Sequence, residues 1–311
     1  MLHLKTRHFL TGEELSRAEL LELLELAETL RSERRAGKTR QELAGKNVSL
    51  VFEKPSLRTR MSFTVALQEI GAQAIELVSS VRKKETPEDT AMVIAQYSHG
   101  IMLRTFDHEN LDRMAKDCPI PVINGLSDSH HPCQVLADLQ TLKQSFGKLE
   151  GLKLAYIGDG NNMLNSILLL MPFVGVDVVY ACPKGFEPNA FIVKKAKARA
   201  AEGGGSITAI TDPKDAVKGV DAIYTDVWAS MGQEDEEMER ELQFKGYQVN
   251  ESLFSAARSD TIVMHCMPMV RGKEISEAMA DHPNSVIYRQ AENRMHAQKA
   301  LLLGLLARPQ T

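Results

Sequence analysis

Residues 53–63 read Glu-Lys-Pro-Ser-Leu-Arg-Thr-Arg-Met-Ser-Phe, a stretch whose residue types suit the binding of an anion. Ahead of it, Val48 to Phe52 is short, apolar and partly β-branched, the pattern of a buried strand. Pro55 biases its predecessor away from helix, and Ser56 is a good N-cap. Met61, Val65, Ala66 and Ile70 follow at the spacing of one helix face. The expected unit is strand, tight turn and helix start, with Arg58, Thr59 and Arg60 in the first helical turn. Backbone N–H groups and the positive dipole end favour a phosphate there, and a guanidinium adds planar, charge-assisted donors. The same residues also fit a capped helix with two solvated arginines.

Further polar clusters fall where strands should end, the place where open α/β sheets bind ligands. Arg104 closes one strand, and His131-Pro132-Cys133-Gln134 opens a helix. Beside Arg58, Thr59 and Arg104, His131 completes a donor set for a carbonyl oxygen that gains negative charge. Gly158-Asp159-Gly160 starts a dinucleotide fingerprint but does not finish it: Met163 stands at the sixth position, and no acid closes the next strand at Tyr180 to Cys182. Nicotinamide binding is rejected on both counts. Asp226 follows another strand, where a carboxylate can bind a substrate ammonium while Ser230 and loop amides take a carboxylate. His265-Cys266-Met267-Pro268 closes the next strand, and Cys266 there also fits a buried apolar residue. Arg294, near the start of the last helix, adds a cation.

These clusters must be held by more than one domain, since 311 residues suggest roughly two domains of about 150 each. Alternating β and α patterns run through both halves. Strands are expected near 48–52, 72–78, 100–104 and 120–123, then at 152–157, 176–181, 206–210, 221–225, 261–265 and 285–288. A capping-box spacing at Thr11 and Glu14 marks the first helix, over 11–36. Other helices are expected at 87–96, 107–117 and 132–146, and a long last helix over 292–307. The fold class is therefore α/β, two doubly wound parallel-sheet domains linked by long helices. The division expected is 1–147, with 292–311 packing back on it, and 148–291. The acidic run 234–241 reads as a solvated loop face.

Composition narrows the partners. A net charge of −4, from 37 basic and 41 acidic residues, argues against nucleic acid. An anion pocket in a mildly acidic chain suits a small phosphorylated metabolite. Cys118, Cys133, Cys182 and Cys266 form no C-x-x-C pair, so neither a disulfide framework nor a zinc site is expected. Residues 1–16 lack a signal peptide's apolar core, and the apolar run 167–176 is too short to span a bilayer. A cytoplasmic location without a membrane partner follows.

Taken together, SLRTR (56–60), HPCQVLAD (131–138), GDGNN (158–162), DVWASMG (226–232), HCMP (265–268) and ENR (292–294) resemble the aspartate/ornithine carbamoyltransferase superfamily, and within it the ornithine carbamoyltransferases. The motifs stand in the family's order and spacing over nearly the whole chain. The resemblance implies an enzyme that forms L-citrulline and phosphate from carbamoyl phosphate and L-ornithine, in arginine biosynthesis or in arginine breakdown. It implies no metal or organic cofactor, and a homotrimer or a multiple of one. By position, Ser56, Leu57, Arg58, Thr59, Arg104, His131 and Gln134 bind carbamoyl phosphate. Asn162, Asp226, Ser230 and Met231 bind ornithine. Cys266, Met267 and Arg294 line the reaction centre, next to the carbamoyl group. Arg58, Arg104, His131, Asp226, Cys266 and Arg294 are the catalytic set.

Two positions depart from the family's pattern. Leu57 stands where Thr is common, a small change if that residue contributes its backbone N–H. Ser80 stands where many ornithine enzymes have a Gln that reaches a neighbouring subunit's site, and Ser80 with Lys84 is closer to the aspartate enzyme's loop. The rival substrates are aspartate and acetylornithine. An aspartate site needs cations for a second carboxylate, whereas Asp226 offers an acid. Carbamoyl transfer also needs a neutral amine. A lysine-like δ-ammonium has a pKa near ~10.4, so Asp226 and Cys266 are expected to hold it and pass on its proton.

Overall fold

The computed structural model describes residues 2–78, 85–229 and 237–307. The chain divides into two compact units, Met1–Gln140 with Glu292–Thr311, and Thr141–Ala291. In the first, β1 (Asn47–Phe52), β2 (Gln73–Val78), β3 (Gly100–Arg104) and β4 (Val122–Leu126) form a parallel sheet in the order β2-β1-β3-β4. Every residue of β3, and every residue of β1 after Asn47, is buried, as a parallel sheet covered on both faces requires. The helices of this unit are α1 (Arg17–Arg35), α2 (Arg58–Glu69), α3 (Pro87–Ile94) and α4 (His108–Lys116), with part of α5 (Pro132–Phe146). From β1 the chain first adds β2 on one side and then β3 on the other. The winding reverses there, so the carboxyl ends of β1 and β3 flank a ligand crevice.

The second unit holds β5 (Lys153–Ile157), β6 (Asp177–Ala181), β7 (Ile207–Ala209), β8 (Ala222–Thr225) and β9 (Ile262–His265), all parallel, in the order β7-β6-β5-β8-β9. Its helices include α6 (Asn162–Leu170), α7 (Ala190–Gly203), α8 (Pro213–Ala216), α9 (Glu237–Phe244), α10 (Glu251–Phe254) and α11 (Glu277–Ala280), and α12 (Ile287–Leu306) starts here. Winding reverses between β5 and β8, so their carboxyl ends flank the second crevice. Both units are doubly wound, as the alternation of patterns predicts.

Several local expectations change. The first helix is capped by Ser16, which forms the reciprocal capping box with Glu19. At 11–14 the Glu14 carboxylate instead accepts from the N–H groups of Leu10, Thr11 and Gly12, and closes a turn. Gly12, with φ of 90°, is left-handed and cannot begin a helix. Ser56 does not cap α2. That position belongs to Leu57, already helical at φ −88° and ψ −60°, and no side chain bonds to the first turn. Met61 is exposed; the buried face runs through Thr59, Ser62, Phe63, Ala66 and Leu67, because Phe63 and Leu67 have more apolar area to hide. Residues 285–288 are no strand. Ser285 makes one bridge to Val263, and the next donor on β9, the His265 N–H, is taken by the Gln290 side chain at 2.9 Å. The last helix therefore begins at Ile287. Part of the acidic run is helical, in α9.

Candidate active site

At the crevice of the first unit, two hydrogen bonds tie the turn after β1 to the end of β3. The Glu53 N–H donates to the Arg104 carbonyl at 2.9 Å, and the Thr105 hydroxyl donates to the Glu53 carboxylate at 2.5 Å. On this frame Thr59 is buried in the first turn of α2, and Arg294 of α12 donates to its hydroxyl at 2.7 Å. Arg104 is buried. Burial, then the charges of Arg294 and Arg58, lower its guanidinium to about 10. His131 precedes α5 and is also buried. Desolvation, followed by Arg294, Arg104 and Arg58, holds its imidazole well below the ordinary histidine value. Three guanidiniums therefore converge on one neutral imidazole beside an N-terminal helix turn without a side-chain cap. Like charges gathered out of water cost free energy that a bound anion offsets. Gln134 donates through Nε2 to Asp138 at 2.9 Å; among the described residues its buried Oε1 has no hydrogen-bond partner. That atom suits a donor NH₂. Ser56 and Leu57 lie in the turn itself, with Leu57 exposed.

The second crevice is built around Asp226, buried just past β8. Its Oδ2 accepts from Asn161 Nδ2 at 2.8 Å; its Oδ1 accepts from the Val227 N–H at 2.9 Å and from the Cys266 thiol at 2.8 Å. Asn161 is itself fixed, since its Oδ1 caps α6 by accepting from Met163 and Leu164. Asn162 is the first residue of that helix. Gly160 is required here. A Cβ at that position would lie 2.3 Å from the Pro188 nitrogen and 2.4 Å from the Glu187 carbonyl carbon.

Behind Cys266, His265 is fully buried and its tautomer is fixed. The Met267 N–H donates to Nδ1 at 2.9 Å, so the proton sits on Nε2, which donates to Glu274 at 2.9 Å. Glu274 also accepts from the Val270 N–H at 2.6 Å, and this holds residues 266–270, including Met267 with its φ of 57°. Ligand atoms of Asp226, His265 and Cys266 lie within 4.8 Å of one another. With both ring nitrogens engaged, the imidazole is not available to a metal.

The expected residues thus gather in two groups. Arg58, Thr59, Arg104, His131 and Arg294 meet in the first unit, with Ser56, Leu57 and Gln134 on the same turn and helix start. Asp226, Cys266 and Met267 meet in the second, beside Asn162. Ser80, Ser230 and Met231 lie outside the described residues. Sequence reasoning passed over Asn161, Asp159, Arg240 and Glu274. Asn161 was legible as the polar residue opening a helix and Asp159 as part of the motif after β5, though neither was given a role; Arg240 and Glu274 have no local signal.

Two doubly wound units, one with a cation-lined crevice and the other with an acid and a thiol at its crevice, suit the class of transferases that the family comparison identifies. Residues 7–144 match the carbamoyl-P binding domain of aspartate/ornithine carbamoyltransferases and residues 150–305 match the Asp/Orn binding domain, so the chain belongs to that family. Among its relatives, ornithine carbamoyltransferase of Anoxybacillus flavithermus is 47% identical over 98% of this chain and 98% of its own. That of Methanosarcina mazei is 48% identical over 96% and 99%. The solved ornithine carbamoyltransferase from Pyrococcus furiosus is 43% identical, covers 100% of both chains and superposes with a TM-score of 0.96.

Proposed function

We propose that this chain forms L-citrulline and phosphate from carbamoyl phosphate and L-ornithine. One observation carries the choice of ornithine: the second crevice presents a carboxylate, Asp226, whose geometry three neighbouring groups fix. None of the three is a cation, and Arg240, which bonds to the loop after β8 at the Trp228 carbonyl, already pairs with Asp159. An acid there matches an amine; it repels the second carboxylate of aspartate. Acetylornithine keeps the δ-amine but replaces the α-ammonium by a neutral amide, which an acid attracts less.

In this reading Ser56, Leu57 through its N–H, Arg58 and Thr59 hold the phosphate at the start of α2. Arg104 and His131, with Thr59, stabilise the oxyanion of the tetrahedral intermediate, and Gln134 Oε1 accepts from the carbamoyl NH₂. Asp226 and Cys266 bind the δ-amine as it loses its proton. Asn162, Ser230 and Met231 contact the amino-acid end. Met267 and Arg294 border the carbamoyl group. No cofactor or metal enters this scheme.

The test is citrulline formation measured in parallel with ornithine, acetylornithine and aspartate as acceptors. Ornithine is expected to exceed both by on the order of a hundredfold in kcat/KM, as for a site whose buried polar groups one substrate satisfies and the others do not. Equal or greater turnover of another acceptor refutes the choice.

A homotrimer is part of the proposal. Ile75 and Val78 are exposed on the edge strand β2, as are Met92, Val93 and Tyr97 on and after α3. An apolar edge of this kind supports self-association. Light scattering on the purified protein is expected to give three times the 34.5 kDa chain mass or a multiple of that; a monomer refutes it. A cytoplasmic location completes the proposal; a role in arginine biosynthesis is supported by the relative from Pyrococcus furiosus described as anabolic, 44% identical.

A further inference from the structure

We propose that Arg240 is the positioning residue of the acceptor half of the site, clamping the loop after β5 to the loop after β8 and thereby fixing Asn161 against Asp226. The inference rests on the reading of Asp226 as the group that meets the ornithine amine.

Arg240 is the one cation between Lys218 and Lys245, inside a run of acids. Sequence pattern places it on a solvated face; the structure buries it. A single terminal nitrogen, Nη1, donates to Asp159 Oδ2 at 2.9 Å and to the Trp228 carbonyl at 2.9 Å. That nitrogen carries two hydrogens, and each acceptor takes one. The guanidinium lies over the Phe186 ring, 5.0 Å from its centroid, so its plane is held as well as its charge.

The two acceptors belong to the two loops that carry the site. Asp159 is two residues before Asn161, and Trp228 is two residues after Asp226. Asn161 and Asp226 are themselves joined at 2.8 Å. The Tyr156 hydroxyl, donating to the Asp159 carbonyl at 2.9 Å, braces the first loop from below. The pieces make a closed ring: Arg240, Asp159, Asn161, Asp226, Trp228 and back to Arg240. Loss of the clamp frees both loops at the atoms next to the acceptor's binding groups.

A purely structural ion pair is the competing account. The side chains of Arg240 and Asp159 are 9% and 10% exposed, and a pair so deeply placed gains little net stability, because desolvation consumes most of its attraction. Burial indeed raises the Asp159 carboxyl to about 6 against the pull of Arg240. Fixed geometry is what such a pair supplies.

The experiment is steady-state kinetics on Arg240→Met and Arg240→Lys, with thermal midpoints and the emission of Trp228, the only tryptophan. Arg240→Met is expected to raise the ornithine KM by about tenfold or more, the scale of a displaced binding group, and to leave the carbamoyl phosphate KM within about twofold. Trp228 emission should shift to the red as its backbone is released. Lys keeps the charge and can reach both acceptors but has no planar face for Phe186. It is expected to raise the ornithine KM by about threefold, between the native enzyme and the Met variant, with a smaller red shift, and it carries the test if the Met variant does not fold. Unchanged ornithine KM in either folded variant paired with unchanged emission, or parallel losses for both substrates with a lowered midpoint, overturns the clamp. Failure of the underlying reading looks different: Asp226→Asn then keeps full ornithine turnover whatever Arg240 does.

Discussion

Replacing Asp226 by Asn separates the chemistry of this site from its scaffolding. In the native arrangement both carboxylate oxygens only accept, Oδ2 from Asn161 and Oδ1 from Val227 and Cys266. An amide at this position has one acceptor and one donor. With its NH₂ toward Asn161 it meets the Nδ2 of that side chain, donor against donor. Turning Asn161 over does not help, because its Oδ1 is the cap of α6. With its NH₂ on the other side, the amide opposes the Val227 N–H. Either orientation leaves a buried donor unmet, at a cost of about 1–3 kcal/mol. At this chain length the thermal midpoint should fall by roughly 5 °C. The loss of a charge-assisted contact to the amine is worth about 1.5–3 kcal/mol, so ornithine kcat/KM should fall by about a hundredfold. Carbamoyl phosphate affinity, set in the other crevice, should stay within about twofold of native. The double variant Asn161→Asp with Asp226→Asn restores matched donors and acceptors, and a carboxylate still caps α6. Its midpoint should return while turnover stays low, because the charge now sits on the wrong residue. Stopped assays for citrulline and scanning calorimetry read both quantities. Native ornithine kcat/KM in Asp226→Asn, with an unchanged rise of rate with pH, refutes the placement of Asp226 at the amine.

Arg58→Ala should cut citrulline formation by about 10²–10³ and leave the circular dichroism spectrum native, because the residue is half-buried at a helix start and carries no core packing. Near-native turnover refutes the anion site. Gly160→Ala forces its new methyl into the backbone at 186–188, so both the midpoint and the ornithine KM should worsen while carbamoyl phosphate binding persists, as titration calorimetry can check. His131 is held neutral when folded and titrates near 6.5 when unfolded. The unfolded state therefore binds the extra proton. Stability that is fully present above about 6.5 should be lost progressively as the pH falls from that value toward the lower folded one, and His131→Asn should flatten the fall in denaturant titrations. A bound dianion opposes the three guanidiniums that depress His131, so phosphate-analogue binding near pH 6 should take up protons; identical binding enthalpies in buffers of different ionisation heat refute this.

Fold class and most of the candidate anion crevice were legible in the amino-acid sequence, because both rest on local chemistry. Buried parallel strands announce themselves as short apolar runs such as Val48 to Phe52, and a polar cluster after each run marks the carboxyl end where ligands bind. Arg58, Arg104, His131 and Asp226 were named on that ground. Helix starts were less legible. Thr11 with Glu14 and Ser16 with Glu19 carry the same capping spacing, and only the positive φ of Gly12 decides between them. Residues 285–288 have the composition of a strand, yet a side chain from the next helix takes the hydrogen bond a strand would need.

Tertiary structure alone decided which polar residues act together. Arg240 and Asp159 are 81 positions apart, and nothing local distinguishes Arg240 from a solvated cation in an acidic run. Glu274 and His265 look like ordinary surface and strand residues until folding removes both from water and makes each the other's partner. A sequence pattern records what a residue prefers over a few neighbours. The low-dielectric pairings that orient Asp226 and Cys266 exist only once distant loops have been brought to one sheet edge, where an unmet polar group is too costly to leave alone.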